Sequence, residues 1–277
     1  MKYFGHRSIF KKNNNWGYSY RSNLNARFLS PDPKLGSYLI QSNSEGFRTH
    51  LNSQDFVKSS RKKILLIGCS FAAGDGVSNN QRFFDIFCNE SGYTFYNAAI
   101  PGTGHDQQLL ILRYLVKKLR PDYVLFAPYS GCANRNLTSS RTFHDPLHGG
   151  YTNRPKPFFK ISDGLLYLKN MPIPAWEILS KDKKNHKFTN ILSQLTYFRL
   201  KEFNKIYTGH DKYGNLLTKT IIKEIFSLTV QNGAKLIIMP LPAEHDVTST
   251  SNHVNSFYSK LSEELNNTPH FDNFDYA

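Results

Sequence analysis

Residues 62–68 read KKILLIG, a short apolar run that ends in glycine. Short runs of this kind, rich in branched aliphatic side chains, are typical of strands that lie buried inside a parallel sheet. Cys69 and Ser70 follow the run directly. The sequence therefore predicts that Ser70 lies where the first parallel strand ends and the chain turns into a helix.

Helical and strand patterns alternate after this run, with short links between them. The predicted segments are a helix at 81–89, a strand at 94–97, a helix at 106–119 and a strand at 122–127. In the first helix we expect four side chains to face inward: Phe83, Phe84, Phe87 and Cys88. Strands that alternate with helices in this way predict a right-handed parallel α/β domain.

Two regions interrupt the alternation. Residues 1–60 are polar, aromatic and without periodicity, so we expect an irregular N-terminal arm that packs on an α/β domain formed by 61–277. Residues 137–187 are rich in proline, aromatic residues and lysine, which predicts an insertion or lid after the third strand. Within this insertion, apolar runs flank Ser162-Asp163-Gly164 and predict a hairpin.

The C-terminal part returns to regular patterns. The sequence predicts helices at 190–203, 217–231 and around 257–265, a fourth strand at 235–239 and the start of a last strand at 271–276. In the helix at 217–231 we expect a buried stripe formed by Ile222, Ile225, Phe226 and Val230.

Composition narrows the possible classes of protein. Hydrophobic residues make up 39% of the 277 residues, which excludes wholesale disorder. The net charge of +14 is dispersed along the chain, which favours a solvated basic surface, and no nucleic-acid motif is present, so we expect no nucleic-acid partner. We also expect no membrane span, because no apolar stretch is long enough.

The three cysteines are widely spaced and form neither a disulfide framework nor a metal-binding pair. No cluster of metal ligands or cofactor motif is evident, and the Gly74-Asp75-Gly76 segment lacks the ending of a phosphate loop. We therefore expect no metal and no cofactor. With no apolar leader at the start, a reducing, cytoplasmic location is the expectation. The sequence leaves the oligomeric state open.

Three blocks, in this order, resemble the SGNH/GDSL hydrolases: ILLIGCSFAAGDGV (64–77), YNAAIPGTGHDQQ (96–108) and PDYVLFAPYSG (121–131). NSEGFR (43–48) resembles an arm seen in some bacterial members, and Cys69 stands where many members have Asp. The resemblance implies a three-layer α/β/α domain with a flavodoxin-like parallel sheet. It also implies a serine ester hydrolase: an esterase, acetylesterase or O-acyltransferase acting on a small-molecule or carbohydrate ester.

The resemblance assigns roles to two residues. Ser70 would be the nucleophile, and the backbone N–H groups of Ser70 and Gly102 would form an oxyanion hole. The third block should end in an Asn that donates to the same oxyanion, but an ungapped reading puts Gly131 or Cys132 there. Asn134 is a possible oxyanion donor, as is the nearby Asn136, if the loop shifts its register.

The catalytic base is the open point. The family has a His in an Asp-x-x-His segment after the last strand, and this sequence ends at Ala277, where that segment should begin. Three explanations stand side by side: the sequence is a fragment, it is an inactive relative, or another His substitutes. His148, in Asp145-Pro146-Leu147-His148, and His245 are the candidate substitutes, each against the simpler interpretation of a solvated loop histidine.

A second function stays open. A catalytically inactive protein of the same fold could bind an anionic glycan or a protein partner, using the basic surface and the 137–187 insertion. Arg48 has two interpretations: it binds a substrate carboxylate or phosphate, or it anchors the arm to the domain.

Overall fold

A computed structural model of the chain describes residues 9–30, 34, 36–129, 131–145, 150–179, 212–242 and 253–265. Its strands, in chain order, are β1 (Phe10–Asn13), β2 (Gly17–Tyr20), β3 (Asn25–Leu29), β4 (Ser37–Gln41), β5 (Lys63–Gly68), β6 (Thr94–Asn97), β7 (Tyr123–Ala127), β8 (Ser140–Asp145), β9 (Gly150–Pro155), β10 (Phe158–Ser162), β11 (Leu165–Lys169), β12 (Glu177–Leu179) and β13 (Lys235–Ile238). Its helices are α1 (Ser53–Lys58), α2 (Ser70–Ala73), α3 (Phe83–Ser91), α4 (His105–Leu119), α5 (Cys132–Arg135), α6 (Lys212–Gln231) and α7 (His253–Glu264).

The central sheet has four strands in the order β13-β7-β5-β6, and every neighbouring pair is parallel. Numbered along the chain, this order is second, first, third, fourth, counted from the β6 edge, which is the flavodoxin-like arrangement. The parallel α/β fold predicted from the sequence is therefore confirmed. The two central strands, β5 and β7, carry apolar runs that the sequence predicts as strands.

Side chains of β5 alternate between two apolar clusters. Leu65 and Ile67 join the cluster formed with α4, α6, α7 and the arm, while Ile64 and Leu66 join the one formed with α2 and α3. The sheet thus lies between two helical layers. Each of these aliphatic side chains, fully buried, contributes about 1.5–3 kcal/mol relative to exposure.

Two predictions of buried side chains are wrong. In α3 only Phe84 and Cys88 are buried, whereas Phe83 and Phe87 are 42% and 47% exposed. Both pairs have the i, i+4 spacing, but a helix above one face of a sheet buries a single stripe. In α6, Ile222 and Ile225 are buried as predicted, while Val230 is 51% exposed near the end of the helix.

The arm contains regular structure that periodicity did not predict. It forms two antiparallel pairs, β1–β2 and β3–β4, followed by α1. Strands of four or five residues are too short for a convincing alternation. Every residue of β2 is buried, and Tyr18, Tyr20 and Trp16 belong to the same apolar cluster as β5. The arm therefore packs into the main core.

Arg48 anchors the arm. Its guanidinium is fully buried and donates to the carbonyls of Ala73, at 2.9 Å, and Gly74, at 2.7 Å, and to the Asn79 side chain at 2.8 Å. Of the two interpretations of Arg48, the structure shows anchoring: these bonds fix the turn that follows α2.

The insertion after β7 contains two antiparallel units. The first is a three-stranded sheet in the order β12-β9-β8, and the second is the hairpin β10–β11. The hairpin confirms the prediction, because Asp163 and Gly164 both have positive φ, 50° and 74°, as a tight two-residue turn requires. The predicted helix at 190–203 and strand at 271–276 lie outside the described residues.

Candidate active site

Three loops meet at the carboxyl edge of the sheet, as expected where parallel strands end together. The carbonyl of Gly68, the last residue of β5, accepts hydrogen bonds from the Ile100 N–H at 3.2 Å and from the Thr103 hydroxyl at 3.1 Å. Gly68 lies two residues before Ser70, and Ile100 and Thr103 lie on either side of Gly102. The structure therefore brings the Ser70 turn and the Gly102 loop to one edge.

Ser70 is the first residue of α2 and is partly exposed. The turn into α2 is tight, since a Cβ at Gly68 would lie 2.5 Å from the Cβ of Ala72. In the part of the chain that the structure describes, neither the Ser70 hydroxyl nor its backbone N–H has a hydrogen-bond partner. Neither group is therefore engaged by the described part of the chain.

Gly102 is buried and has φ +77°, a conformation that L side chains rarely adopt. A Cβ at this position would lie 2.8 Å from the Phe143 ring and 2.9 Å from the Tyr18 hydroxyl. Tyr18 donates to the Pro101 carbonyl at 2.9 Å. The arm and β8 thus hold the loop in place. Among the described residues, no acceptor takes the Gly102 N–H.

The loop after β7 distinguishes the two candidate asparagines. Asn134 lies partly exposed on α5. Asn136 is buried, and its amide donates to His105 at 3.2 Å and to Thr218 at 3.1 Å while its oxygen accepts the Asp106 N–H. Asn136 is therefore committed to the core, and Asn134 stays the candidate oxyanion donor.

His105 is close in sequence to the Gly102 loop but is not suited to act as a base. Burial, with the nearby Arg135 charge adding to it, lowers the pKa of His105 to about 3. Its Nδ1 accepts from Asn136, and its Nε2 lies 3.2 Å from the Tyr258 hydroxyl. His148 and His245, the two candidate bases, lie outside the described residues and stay predictions.

A cluster of two thiols and one guanidinium lies behind Ser70. Arg135 donates to the Thr103 carbonyl at 3.0 Å and to the Cys132 sulfur at 3.7 Å, and its guanidinium carbon lies 5.6 Å from the centre of the Tyr129 ring. A hydrogen bond from the buried Cys132 thiol lowers the pKa of Cys69, and Arg135 lowers it further. Burial raises the pKa of Cys132. Arg135 thus contacts all three loops of the edge.

A buried ion pair supports the same edge from the insertion. Lys156 donates to Asp106, and both side chains are fully buried. Burial raises the pKa of Asp106 and lowers that of Lys156, while the attraction between the two charges opposes both shifts. Sequence patterns missed Arg135, Asp106 and Lys156, because a charged side chain at helical or strand spacing normally indicates solvent.

Two surface cavities lie away from Ser70. One, of about 410 Å³, is lined by polar residues of the arm such as Asn25 and His50, and the other, of about 510 Å³, lies between β11 and α6. Across the described ranges, no group of acidic, His and Cys side chains is arranged to hold a metal ion. No described helix has the length and apolarity to cross a membrane.

No known protein-family model matches the chain, and no curated protein matches its sequence. Solved structures of similar shape include TesA, with 10% identity, 74% of this chain and 75% of that chain covered, and a TM-score of 0.41. The esterase EstA from Pseudoalteromonas sp. has 12% identity, 76% coverage of each chain and a TM-score of 0.39. A GDSL-like lipase from Bacteroides thetaiotaomicron has 13% identity, 79% and 74% coverage and a TM-score of 0.36. Because identities and TM-scores are this low, the fold assignment rests on the sheet itself.

Proposed function

We propose that this protein is a serine ester hydrolase of the SGNH/GDSL type, an esterase or O-acyltransferase with Ser70 as its nucleophile. The observation that carries the proposal is the edge itself: an accessible hydroxyl on a strand-to-helix turn, next to a loop tied to the same Gly68 carbonyl. A carbohydrate ester as substrate and a cytoplasmic location belong to the proposal as expectations.

In the proposed reaction, the Ser70 oxygen attacks the ester carbonyl while a base takes the hydroxyl proton. The N–H groups of Ser70 and Gly102, with Asn134 as a possible third donor, receive the charge that develops on the carbonyl oxygen. Collapse releases the alcohol and leaves an acyl group on Ser70, which water or an acceptor alcohol removes. Losing one such donor costs about 10²–10³ in rate.

The base in this proposal is His148 or His245. A serine without a base is a weak nucleophile, although oxyanion stabilisation and binding alone leave some catalysis. General-base catalysis contributes about 10²–10⁴ in rate, so replacing the correct histidine by Ala should reduce kcat by this factor. Replacing the other histidine should leave kcat within about threefold, as expected of a solvated side chain.

The test is hydrolysis of 4-nitrophenyl acetate together with labelling by a fluorophosphonate. The wild type should hydrolyse the ester and take up one label, and Ser70→Ala should lose both. Ser91→Ala is the matched control, because Ser91 is exposed at the end of α3, away from the edge. Hydrolysis that survives Ser70→Ala would exclude this mechanism.

The second candidate is a binding protein that uses the same edge without chemistry. The open Ser70 hydroxyl, which contacts no base among the described residues, favours it. An absence of both labelling and hydrolysis, with a retained affinity for an anionic glycan, would select this candidate over the esterase.

A further inference from the structure

Two arginine guanidiniums lie at the candidate edge, and we call Arg135 and Arg141 the arginine pair. Arg135 contacts the loops that carry Ser70 and Gly102 through Cys69 and Thr103. Arg141 lies on β8, two residues from Phe143, whose ring packs against Gly102. Both guanidiniums are close enough to the buried Tyr18 for their charges to act on its hydroxyl.

Two arginines lie opposite each other in the strand pair β8–β9. Arg141 lies directly opposite Arg154 in the antiparallel register, so both side chains project from the same face. Arg154 is fully buried and lies over aromatic rings, at 4.2 Å from the centre of Phe143 and 4.6 Å from that of Trp176. Like charges directly opposite one another destabilise a strand pair.

Carboxylates do not compensate the arginine pair within the described ranges. Neither Arg135 nor Arg141 forms an ion pair with a described Asp or Glu. Asp106, the acidic group whose charge reaches Arg141, is already engaged by Lys156. The Nε of Arg141 is buried and has no hydrogen-bond partner among the described residues. Burial and the Arg135 charge both lower the pKa of Arg141.

Arg135 and Arg141 are close enough for the charge of one to act on the other, and two like charges in a partly buried edge repel. An anion between them offsets that repulsion. The planar fork of a guanidinium matches the paired oxygens of a carboxylate or a phosphate. The buried Nε of Arg141 is a donor that no described residue satisfies. The donors at this edge therefore match a substrate that carries an anionic oxygen group.

We propose that the arginine pair binds an anionic oxygen group, a carboxylate or a phosphate, on the substrate beside Ser70. The inference rests on the proposed esterase function and makes its substrate an acidic ester. Neutral esters of the same shape bind without this contact. The pair acts on binding and orientation of the substrate, whereas Ser70 supplies the chemistry.

The first experiment measures anion binding without chemistry. Calorimetry on Ser70→Ala protein, titrated with inorganic phosphate at constant ionic strength, should give a saturable site. Arg135→Gln and Arg141→Gln, each in the Ser70→Ala background, should weaken binding about 10- to 100-fold, the usual effect of losing a charged hydrogen bond. Arg61→Gln is the matched control, because Arg61 is exposed just before β5, at the opposite end of that strand. Equal binding by all these proteins would overturn the proposal.

The second experiment compares two esters that differ in one charge, 4-acetoxybenzoate and 4-acetoxybenzamide, with an acetoxyphenyl phosphate as a third. Each arginine variant should lower kcat/KM about 10- to 100-fold for whichever anionic ester the site prefers and less than threefold for the amide. A preference between the first and third substrates separates carboxylate from phosphate. Equal losses on charged and neutral esters would overturn the anion site.

The two proposals fail in different ways. Hydrolysis that depends on Ser70 but shows no preference for charge would reject the arginine pair and retain the esterase. Arginine-dependent phosphate binding in a protein that hydrolyses none of the esters and takes up no fluorophosphonate would reject the esterase and retain the anion site.

Discussion

The insertion contains two antiparallel units that differ in what they contact. The hairpin β10–β11 closes on Asp163-Gly164 and leaves most of β11 exposed. The pair β8–β9 faces inward, covers Gly102 with Phe143 and holds Arg141 opposite Arg154. The fold of the hairpin β10–β11 is explained by its own turn residues. The pair β8–β9 instead places two like charges opposite each other, which local sequence does not explain. This contrast indicates that the residues of β8–β9 are selected for their contacts with the Gly102 loop.

If β8–β9 is part of the site and β10–β11 is not, matched substitutions in the two units should differ. The largest difference should come from lysines. Lys156→Met leaves Asp106 as an unpaired buried charge and should reduce the free energy of unfolding by about 3–5 kcal/mol. Lys160→Met, on the exposed face of β10, should change it by less than about 0.5 kcal/mol. Denaturant titration measures both, and equal effects would remove the distinction.

Glycines give the next comparison, because Gly102 and Gly164 have nearly the same φ, +77° and +74°. Gly164→Ala meets open space and should cost only the backbone strain, about 1–2 kcal/mol. Gly102→Ala adds a clash with Phe143 and Tyr18 and should cost roughly 2–4 kcal/mol. Thermal unfolding of the two variants checks this. A smaller loss of stability for Gly102→Ala than for Gly164→Ala would mean that Phe143 and Tyr18 move aside for the added methyl group.

The smallest effect should have the opposite sign. Arg141→Gln removes the like charge opposite Arg154 and should increase the free energy of unfolding by about 0.2–1 kcal/mol in phosphate-free buffer. Lys160→Gln should leave it unchanged within about 0.5 kcal/mol. Added phosphate should stabilise the wild type more than Arg141→Gln, because only a site with both guanidiniums binds it well. A destabilised Arg141→Gln protein would show that the charges of Arg141 and Arg154 do not destabilise the strand pair.

Short sequence patterns predict much of the fold. The run before Ser70, the helix that begins near Asp106 and the turn at Gly164 each depend on residues close in sequence, and the structure has them as predicted. The sequence predicts an irregular arm because strands of four residues show no clear period, and the structure has two antiparallel strand pairs there. Phe83 and Phe87 were placed inside because periodicity gives the stripes of a helix but not which stripe meets the sheet.

The candidate site also contains residues that the sequence predicts and residues that it does not. The apolar run predicts the place of Ser70, and the family resemblance implies Gly102. The shared Gly68 carbonyl shows that their two loops lie at one edge. Arg135 and Arg141 were not predicted. Each is a single arginine in a short polar segment, ANRN at 133–136 and SRTF at 140–143, and such an arginine normally indicates solvent.

The sequence by itself determined the parallel sheet, the place of Ser70 and the β10–β11 turn, because buried apolar runs and positive-φ residues act locally. Only the tertiary structure decided that the polar first turn of α4, with His105, Asp106 and Gln107, is buried beneath the arm and the insertion. Burial of a polar side chain depends on partners distant in the chain. Lys156 comes 50 positions after Asp106, and no short pattern can predict that meeting.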